Sequence, residues 1–533
     1  MIAKNALKIA LLSTCAALAQ TAWPTYHGDY SGRHFSPLEK ITNENVAHLS
    51  LAWVYRTHVS TQGAILGGDP KQGVGSEGAE GPPIKSIPLM VNGVIYFSVP
   101  NHAYAVDAYT GREIWHYAWR GPGAIGNRGM AFWGNWVYFE TPDNNIVSLE
   151  AATGKERWHK AVVDPDKPHF STMAPVVLGN HVLTGVAGDA GNSSGWLEAR
   201  DPETGDVQWR WYATPRAGQP GIETWPNAEA ADHGAGGPWQ PPTYDPELNL
   251  IYVTTSNPAP VYIGKTRPGA NLWTSSVVAL NAANGNLVWY YQCSPHDTHD
   301  WDATEVPVLF DGTMYGQRHK LLGLAHRNGY FFVLDRETGK NLLLKPFIPS
   351  VNGYKGVDAN GVLIPNAEKE PQVGGSLVSP SSDGAANYPA PSFDPETGLF
   401  YINSTESFSI YYADPDAKNP AGSEDSREWH TGLFHSALLA LDYQTGLPKW
   451  RHDYPGTGFW SSTYPGILTT AGKVLFTGTP TGDFVARDVR TGNDLWHVSV
   501  GTEVTNSPVT YLLGNVQYVV VGAGDQLFAF YLY

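Results

Sequence analysis

Ala105-Val106-Asp107-Ala108-Tyr109-Thr110-Gly111-Arg112-Glu113-Ile114-Trp115 is the stretch that decides the fold. It reads as a period-2 strand that ends at Asp107, a tight turn, and a second strand that leads to Trp115. Asp and Thr can satisfy the turn's backbone groups, and Gly takes the position that needs φ > 0. The pattern A-x-D-x-x-T-G-x-x-x-W then recurs with small drift. It returns as Ser148-Leu149-Glu150 … Thr153-Gly154 … Trp158 and as Ala199-Arg200-Asp201 … Thr204-Gly205 … Trp209. Ala279-Leu280-Asn281 … Asn284-Gly285 … Trp289 follows. Val333-Leu334-Asp335 … Thr338-Gly339 is a weaker copy, with Leu343 in place of Trp. Ala440-Leu441-Asp442 … Thr445-Gly446 … Trp450 and Ala486-Arg487-Asp488 … Thr491-Gly492 … Trp496 complete the set.

A further strand pair precedes each hairpin. Met90-Val91-Asn92-Gly93-Val94-Ile95-Tyr96-Phe97, with Asn-Gly at its turn, precedes the first. Four strands per unit, repeated about every 40 to 50 residues, mark an all-β β-propeller. Seven copies are visible. An eighth blade is expected from the termini, with Leu51-Ala52-Trp53-Val54-Tyr55 beside Leu527-Phe528-Ala529-Phe530. Pairing the N- and C-terminal strands in one blade would close the eight-bladed ring and remove its edges. The repeated tryptophans read as structural, docking blade on blade. Long gaps, such as Trp209 to Trp289, hold loop insertions, which in repeat folds gather on the functional face.

The bulk composition agrees. The chain has 533 residues, too many for one ordinary core. With 19 Trp, 57 Gly and 40 Pro it favours short strands and frequent turns over long helices. Its formal charge of −16, from 34 basic and 50 acidic residues, excludes phosphate neutralisation on nucleic acid. The segment from Met1 through Lys4 and Lys8, the apolar run to Ala19 and the small residues Ala17-Leu18-Ala19 read as a signal peptide over residues 1–19. A single domain over residues 20–533 and a periplasmic location are the matching expectations. Without Cys15, Cys293 is the one thiol left, so no intrachain disulfide is expected. No C-x-x-C-H haem site occurs.

The densest chemistry lies in His296-Asp297-Thr298-His299-Asp300-Trp301-Asp302-Ala303-Thr304, three carboxylates and two imidazoles within nine residues. It follows the strand-like run Ser275-Ser276-Val277-Val278-Ala279-Leu280. Such a cluster suits a cation site or a general base at the mouth of a β-scaffold. Its carboxylates favour a hard, oxygen-bound ion over zinc.

The repeat, with Tyr26-His27-Gly28-Asp29 … Arg33-His34-Phe35-Ser36-Pro37-Leu38 near the start, resembles the quinoprotein alcohol dehydrogenases. These are eight-bladed propellers that hold pyrroloquinoline quinone (PQQ). Similar repeats occur in non-catalytic propellers that assemble outer-membrane proteins, so the loops must separate the two. The resemblance implies Asn257, in Thr255-Ser256-Asn257-Pro258-Ala259-Pro260, as a metal ligand, and Trp239 as the floor under the PQQ ring. It implies Asp300 as the catalytic base and a metal ligand, and Asp189 as a ligand where the family usually has Glu. It further implies PQQ contacts from Arg327 in Arg327-Asn328-Gly329, from Arg128 in Asn127-Arg128-Gly129, and from Thr172 and Asn387. Asp302, two after Asp300, resembles the extra carboxylate of lanthanide-dependent relatives. A lanthanide is therefore the favoured metal, with Ca²⁺ as the alternative. The family's adjacent Cys-Cys pair is absent near Gly121-Pro122-Gly123-Ala124, and Lys85 stands where an acidic PQQ contact is common. The implied activity is oxidation of an alcohol to an aldehyde, with electrons leaving to a separate carrier such as a cytochrome c. A sugar or polyol dehydrogenase and a binding or assembly propeller remain the alternatives. The sequence carries no readable code for substrate size or oligomeric state.

Overall fold

The structure is a computed structural model. It describes residues 22–57, 82–122, 126–164, 167, 169–188, 193–303, 305–413, 426–454 and 465–533. The signal peptide with Cys15, Asp189, Thr304 and the 123–124 part of the missing Cys-Cys position lie outside the described residues.

Each repeat folds as an open antiparallel sheet of four strands. The first sheet comprises Leu89–Val91, Val94–Val99, His102–Asp107 and Glu113–Ala118. Its first turn is Asn92-Gly93, with φ of 53° and 80°, both in the left-handed region that a tight hairpin needs. In its Thr-Gly turn, Asp107 Oδ1 accepts from the N–H groups of Tyr109 at 3.1 Å and Thr110 at 2.8 Å, and from Thr110 Oγ1 at 2.7 Å. Gly111 N donates to Asp107 O at 2.8 Å. Seven further sheets follow in chain order, and their first strands begin at Ala131, Val176, Thr243, Val308, Ser392, Leu468 and Val509; Ser376–Val378 and Phe35–Ser36 add a fifth strand to the sheets that begin at Ser392 and Leu468. Leu49–Arg56 joins the eighth sheet, where Leu51 faces Phe530 and Trp53 faces Ala529. The N-terminal strand therefore does lie beside the C-terminal one. A two-stranded ribbon, Tyr354–Val357 with Leu363–Pro365, stands apart from the eight. The five-residue Ala228–Asp232 is the α-helix among the described residues. None of the described helices is long and apolar enough to cross a membrane.

Consecutive sheets meet through the repeat's own residues. The Trp115 indole donates to Ala151 O at 2.8 Å and lies against the turn glycine of the next repeat: a Cβ on Gly154 would sit 2.7 Å from the ring. The same ring-on-glycine contact joins Trp53 to Gly111, Trp158 to Gly205, Trp209 to Gly285, Trp289 to Gly339 and Trp450 to Gly492, and Trp53, Trp289 and Trp450 also donate their indole N–H to a carbonyl. At the degenerate copy, Lys345 Cβ and Leu343 take the place of the ring against Gly446. Trp496 instead packs edge-on to Phe530 of the eighth sheet, at 5.3 Å between centroids.

A second device binds the first strands together. Over residues 22–36, Trp23 exchanges two 2.9 Å bonds with Met90, and Tyr30 Oη donates to Val177 O at 2.8 Å. Tyr30 O, Ser31 O and Arg33 O accept from the N–H groups of Tyr244, Leu309 and Phe393 at 2.7 to 2.9 Å. Phe35–Ser36 then pairs in parallel with Leu468–Thr470. One short segment thus serves the inner part of six sheets, which are arranged around it. The open edges that free first strands would leave are covered by the same contacts.

Gly154→Ala should lower stability by about 2 kcal/mol or more, because φ of +70° and the Trp115 ring both oppose a methyl group. Gly179→Ala, at φ +60° with open space around it, should cost only about 1 kcal/mol. Urea unfolding of the two variants checks the order; equal losses would remove the indole contact as a determinant.

Candidate active site

Alternate turns of an antiparallel meander fall at opposite ends of the sheet. The Thr-Gly turns join third and fourth strands. Loops between second and third strands, and the crossovers to the next sheet, therefore share the other end. The described sequence-derived site residues, Lys85 apart, sit there. Arg128, Thr172, Trp239, Asp300, Asp302 and Asn387 lie on crossovers, and Asn257 and Arg327 on second-to-third-strand loops. Lys85 precedes the first sheet, half-buried, two residues from Ile87, whose N–H donates to Arg128 O at 3.0 Å.

Asp302 is the hub. It is buried, its Oδ1 accepts from Asn257 N at 2.5 Å and its Oδ2 from Trp239 Nε1 at 2.9 Å. Arg327 Nη1 lies 3.6 Å from Asp302 Oδ2 and 3.9 Å from Asp300 Oδ1, and donates to Asp300 O at 2.9 Å. Its Nη2 reaches Asn387 Oδ1 at 3.5 Å. Burial raises the Asp302 pKa, and Arg327 opposes the rise. Burial also works against the Arg327 cation, but Asp302, Asp300, Glu305 and Asp383 outweigh it and hold the guanidinium charged. Asp300 takes φ of +66°, a strained setting for a residue with a Cβ. Its side chain is 34 % exposed, whereas Asp302 and Glu305 are buried.

The two histidines of the acidic stretch are satisfied elsewhere. His299 Nε2 is 2.8 Å from Lys369 O and its ring stacks on Trp301 at 4.4 Å, while His296 Nδ1 meets Gly269 O at 2.8 Å. Burial pushes the His299 pKa down to about 4. Asp297, the third carboxylate of the stretch, staples the loop by accepting from His299 N and Trp301 N. The acidic cluster thus divides into one structural and two site carboxylates.

Trp239 is 7 % exposed, not an open platform. The Arg128 guanidinium lies 4.3 Å from its ring and 4.6 Å from that of Tyr388. Arg128 donates to Thr172 Oγ1 and to Thr172 O, so Thr172 serves Arg128 directly. Among the described residues no carboxylate pairs with Arg128, and burial depresses its pKa. Buried polar atoms near this floor also go unbonded: Arg327 Nε, Tyr388 Oη, Ser256 Oγ and both oxygens of Glu305. Unpaired buried groups in such number point to a missing polar ligand. Two guanidiniums beside an indole suit a planar polycarboxylate such as PQQ. Sequence reasoning missed Tyr388 and Glu305; only adjacency to Asn387 and Asp302 could have flagged them.

For a metal, the described donors are Asn257, Asp300 and Asp302, all hard oxygens. Among the described residues no three His, Cys, Asp or Glu gather as a metal group, Asp189 being outside them. Asp300 and Asp302, both within 4.0 Å of the same guanidinium, nevertheless offer the paired carboxylates that a multivalent cation would take.

The family described as "Glucose/ethanol/alcohol dehydrogenase, beta-propeller domain" matches residues 23–344, more than half of the chain. The chain belongs to the PQQ-dependent quinoprotein alcohol dehydrogenases. A quinoprotein alcohol dehydrogenase of Pseudomonas putida, PedH, is 33 % identical over 531 residues, covering 92 % of this chain and 84 % of the relative. The quinohemoprotein alcohol dehydrogenase of Comamonas testosteroni is 33 % identical over 544 residues, covering 94 % and 72 %. The crystal structure of the quinohemoprotein alcohol dehydrogenase from that organism superposes with a TM-score of 0.85 at 29 % identity, over 98 % of this chain and 84 % of the other. A europium-containing methanol dehydrogenase superposes with a TM-score of 0.84 at 26 % identity, over 97 % and 99 %. Residues 434–531 also match a family described as "Outer membrane protein assembly factor BamB". This quinoprotein therefore has the all-β PQQ propeller fold and the enzyme class that its loops imply.

One buried acid, Glu140, contacts Ser171, the neighbour of Thr172. Ser171 has a single hydroxyl hydrogen for two contacts, Gly185 O at 2.6 Å and Glu140, and a proton on Glu140 satisfies both. Burial raises the Glu140 pKa to about 8. The folded chain keeps this proton while the unfolded chain releases it near the ordinary carboxylate value. Stability should therefore fall by a few kcal/mol, of order 1.4 per unit, as pH rises from about 4.5 to 8. Glu140→Gln should flatten that slope in urea titrations at pH 5 and pH 8; an unchanged slope would contradict the protonated assignment.

Proposed function

We propose that this quinoprotein is a periplasmic dehydrogenase that oxidises an alcohol to an aldehyde with PQQ and one hard metal ion. The single observation that carries the reading is Arg327 held between Asp300 and Asp302, directly above an indole that donates to Asp302. Trp239, Arg128, Arg327, Thr172 and Asn387 would hold PQQ, with Lys85 at the rim. Asn257, Asp300, Asp302 and Asp189 would hold the metal. PQQ, when bound, supplies the two-electron acceptor for hydride, and the metal supplies Lewis acidity.

The chain's own residues do the rest. Asp300 takes the hydroxyl proton of the substrate, being the acid of this cluster that is both exposed and pinned through its carbonyl. With PQQ bound as hydride acceptor, loss of the hydroxyl proton to Asp300 and of hydride from the carbinol carbon would leave the C=O bond of the aldehyde. Arg327 lies 3.9 Å from the Asp300 carboxylate and would lend positive charge to a bound quinone. Electrons then pass to a separate carrier, a c-type cytochrome in our reading, because the sequence has no haem attachment motif.

We read the eight sheets as eight blades of one closed domain over residues 20–533. The tryptophan contacts from each sheet to the next, and the shared N-terminal segment, support that reading. Residues 1–19 are the proposed export signal. The acidic pair favours a lanthanide over Ca²⁺, since Asp302 adds a carboxylate for a trivalent ion. The europium-containing neighbour is consistent with that preference.

Dye-linked alcohol oxidation by apo-protein with PQQ and either La³⁺ or Ca²⁺ tests the proposal. Turnover with La³⁺, its loss in Asp300→Ala with PQQ still bound, and a switch towards Ca²⁺ in Asp302→Ala are the expected results. Unchanged turnover in Asp300→Ala would overturn the assignment of the base.

A further inference from the structure

Two segments of chain carry Asn257, Asp300 and Asp302, and they are tied to each other twice. Asn257 opens the excursion between the second and third strands of the fourth sheet, Leu250–Thr254 and Ser276–Asn281. Asp300 and Asp302 lie on the crossover from that sheet to the next. The first tie is at the donors themselves. Asn257 N donates to Asp302 Oδ1 at 2.5 Å, and Ala303 N donates to Thr255 O at 3.0 Å. The second tie is Arg267, which is 1 % exposed. Its Nε donates to Pro260 O at 2.9 Å, and its Nη2 to Val261 O at 2.7 Å and to Asp297 O. Its Nη1 donates to Asn271 Oδ1 at 2.8 Å.

The two ties bracket the donors. Pro260 comes three residues after Asn257, and Asp297 three residues before Asp300. Little slack is left between them. Pro258 and Pro260 fix φ on the first segment. On the second, Asp297 accepts from His299 N at 3.1 Å and Trp301 N at 2.9 Å, so a hold on the Asp297 carbonyl is passed on to Asp300. The segments also touch at Gly264, where a Cβ would sit 2.6 Å from His296 Nε2 and 2.7 Å from Thr298 Cγ2.

The type of side chain matters here. A planar fork can meet carbonyls of both segments at once, whereas the single nitrogen of Lys cannot span the same acceptors. Burial lowers the Arg267 pKa to about 10, and Asp297 and Glu370 oppose the fall. The bonds of Arg267 go to three carbonyls and one amide, not to the donors, so it acts on them through the backbone. A site with a fixed span between its oxygens discriminates ions by radius, while a slack one adapts to each.

We propose that Arg267 is a positioning residue that sets the span between Asn257 and the Asp300–Asp302 pair, and through it the ionic radius the site accepts. This rests on the reading of those three residues as metal ligands.

Calorimetric titration of the PQQ-supplemented full chain with La³⁺ and with the smaller Lu³⁺ tests it. The wild-type chain should separate the two ions. Arg267→Lys should weaken La³⁺ binding roughly tenfold and bring the La³⁺-to-Lu³⁺ affinity ratio about fivefold closer to one. Asn271→Gly removes the acceptor of Nη1, and glycine accepts the φ of +60° found there. It should move the ratio the same way by less, and it decides the matter if Arg267→Lys does not fold. A residue that serves folding alone would lower the urea midpoint or weaken both ions by one factor. A ratio left unmoved in this way overturns the positioning role while the metal site stands. Equal affinity of the wild-type chain for both ions overturns the selection by radius. Failure of the wild-type chain to bind either ion removes the metal reading as well.

Discussion

The contact between a repeat tryptophan and the turn glycine of the following repeat is the constraint on which the structure depends. Only a residue without Cβ can sit under the ring at 2.4 to 2.8 Å, so glycine and tryptophan are fixed together at every junction that keeps both. The contact sets the spacing between neighbouring sheets. That spacing sets where each crossover emerges, and the crossovers carry most of the site. Residues far apart in sequence, such as Arg128, Trp239, Asp302 and Asn387, share one end of the molecule because consecutive sheets are held at a fixed distance. The N-terminal segment adds a second constraint, since five backbone contacts and the Tyr30 hydroxyl tie six sheets to one strip of chain.

At the site itself the governing balance is charge under burial. Four carboxylates surround one guanidinium, and the indole of Trp239 and the amide of Asn257 complete the shell of Asp302. This arrangement keeps Arg327 charged, and Arg327 holds Asp300 by its carbonyl at 2.9 Å while lying 3.9 Å from its carboxylate. Arg128, beside the same indole, has only neutral acceptors among the described residues, and that imbalance is what an anionic cofactor would relieve.

The hairpin repeat was legible in the sequence because its chemistry is local. Asp107 caps the turn that follows it, and Gly111 takes the φ > 0 position, so eleven residues encode the unit. The pairing of Leu51 with Phe530 was legible for a different reason: a repeat that lacks its strands at one end must borrow them from the other. The position of Trp239 and Asp300 followed from family resemblance, not from pattern. Asp297 was not separable from its two acidic neighbours, since nothing in a D-x-x-D-x-D run tells which carboxylate turns inward to staple the loop. The Glu140–Ser171 contact and the Arg128 stack were invisible because each joins segments dozens of residues apart. The N-terminal segment was quoted only as a resemblance, and its bonds to six sheets depend on register that no side-chain pattern reveals.

Binding of PQQ to the apo-protein, followed by absorbance titration, tests the central claim most directly. The account predicts saturation at one PQQ per chain, and binding weakened at least tenfold in Arg128→Ala, whose cation then no longer meets the ligand. Absence of PQQ binding by the folded, metal-supplemented chain would contradict it and leave a propeller that binds something else.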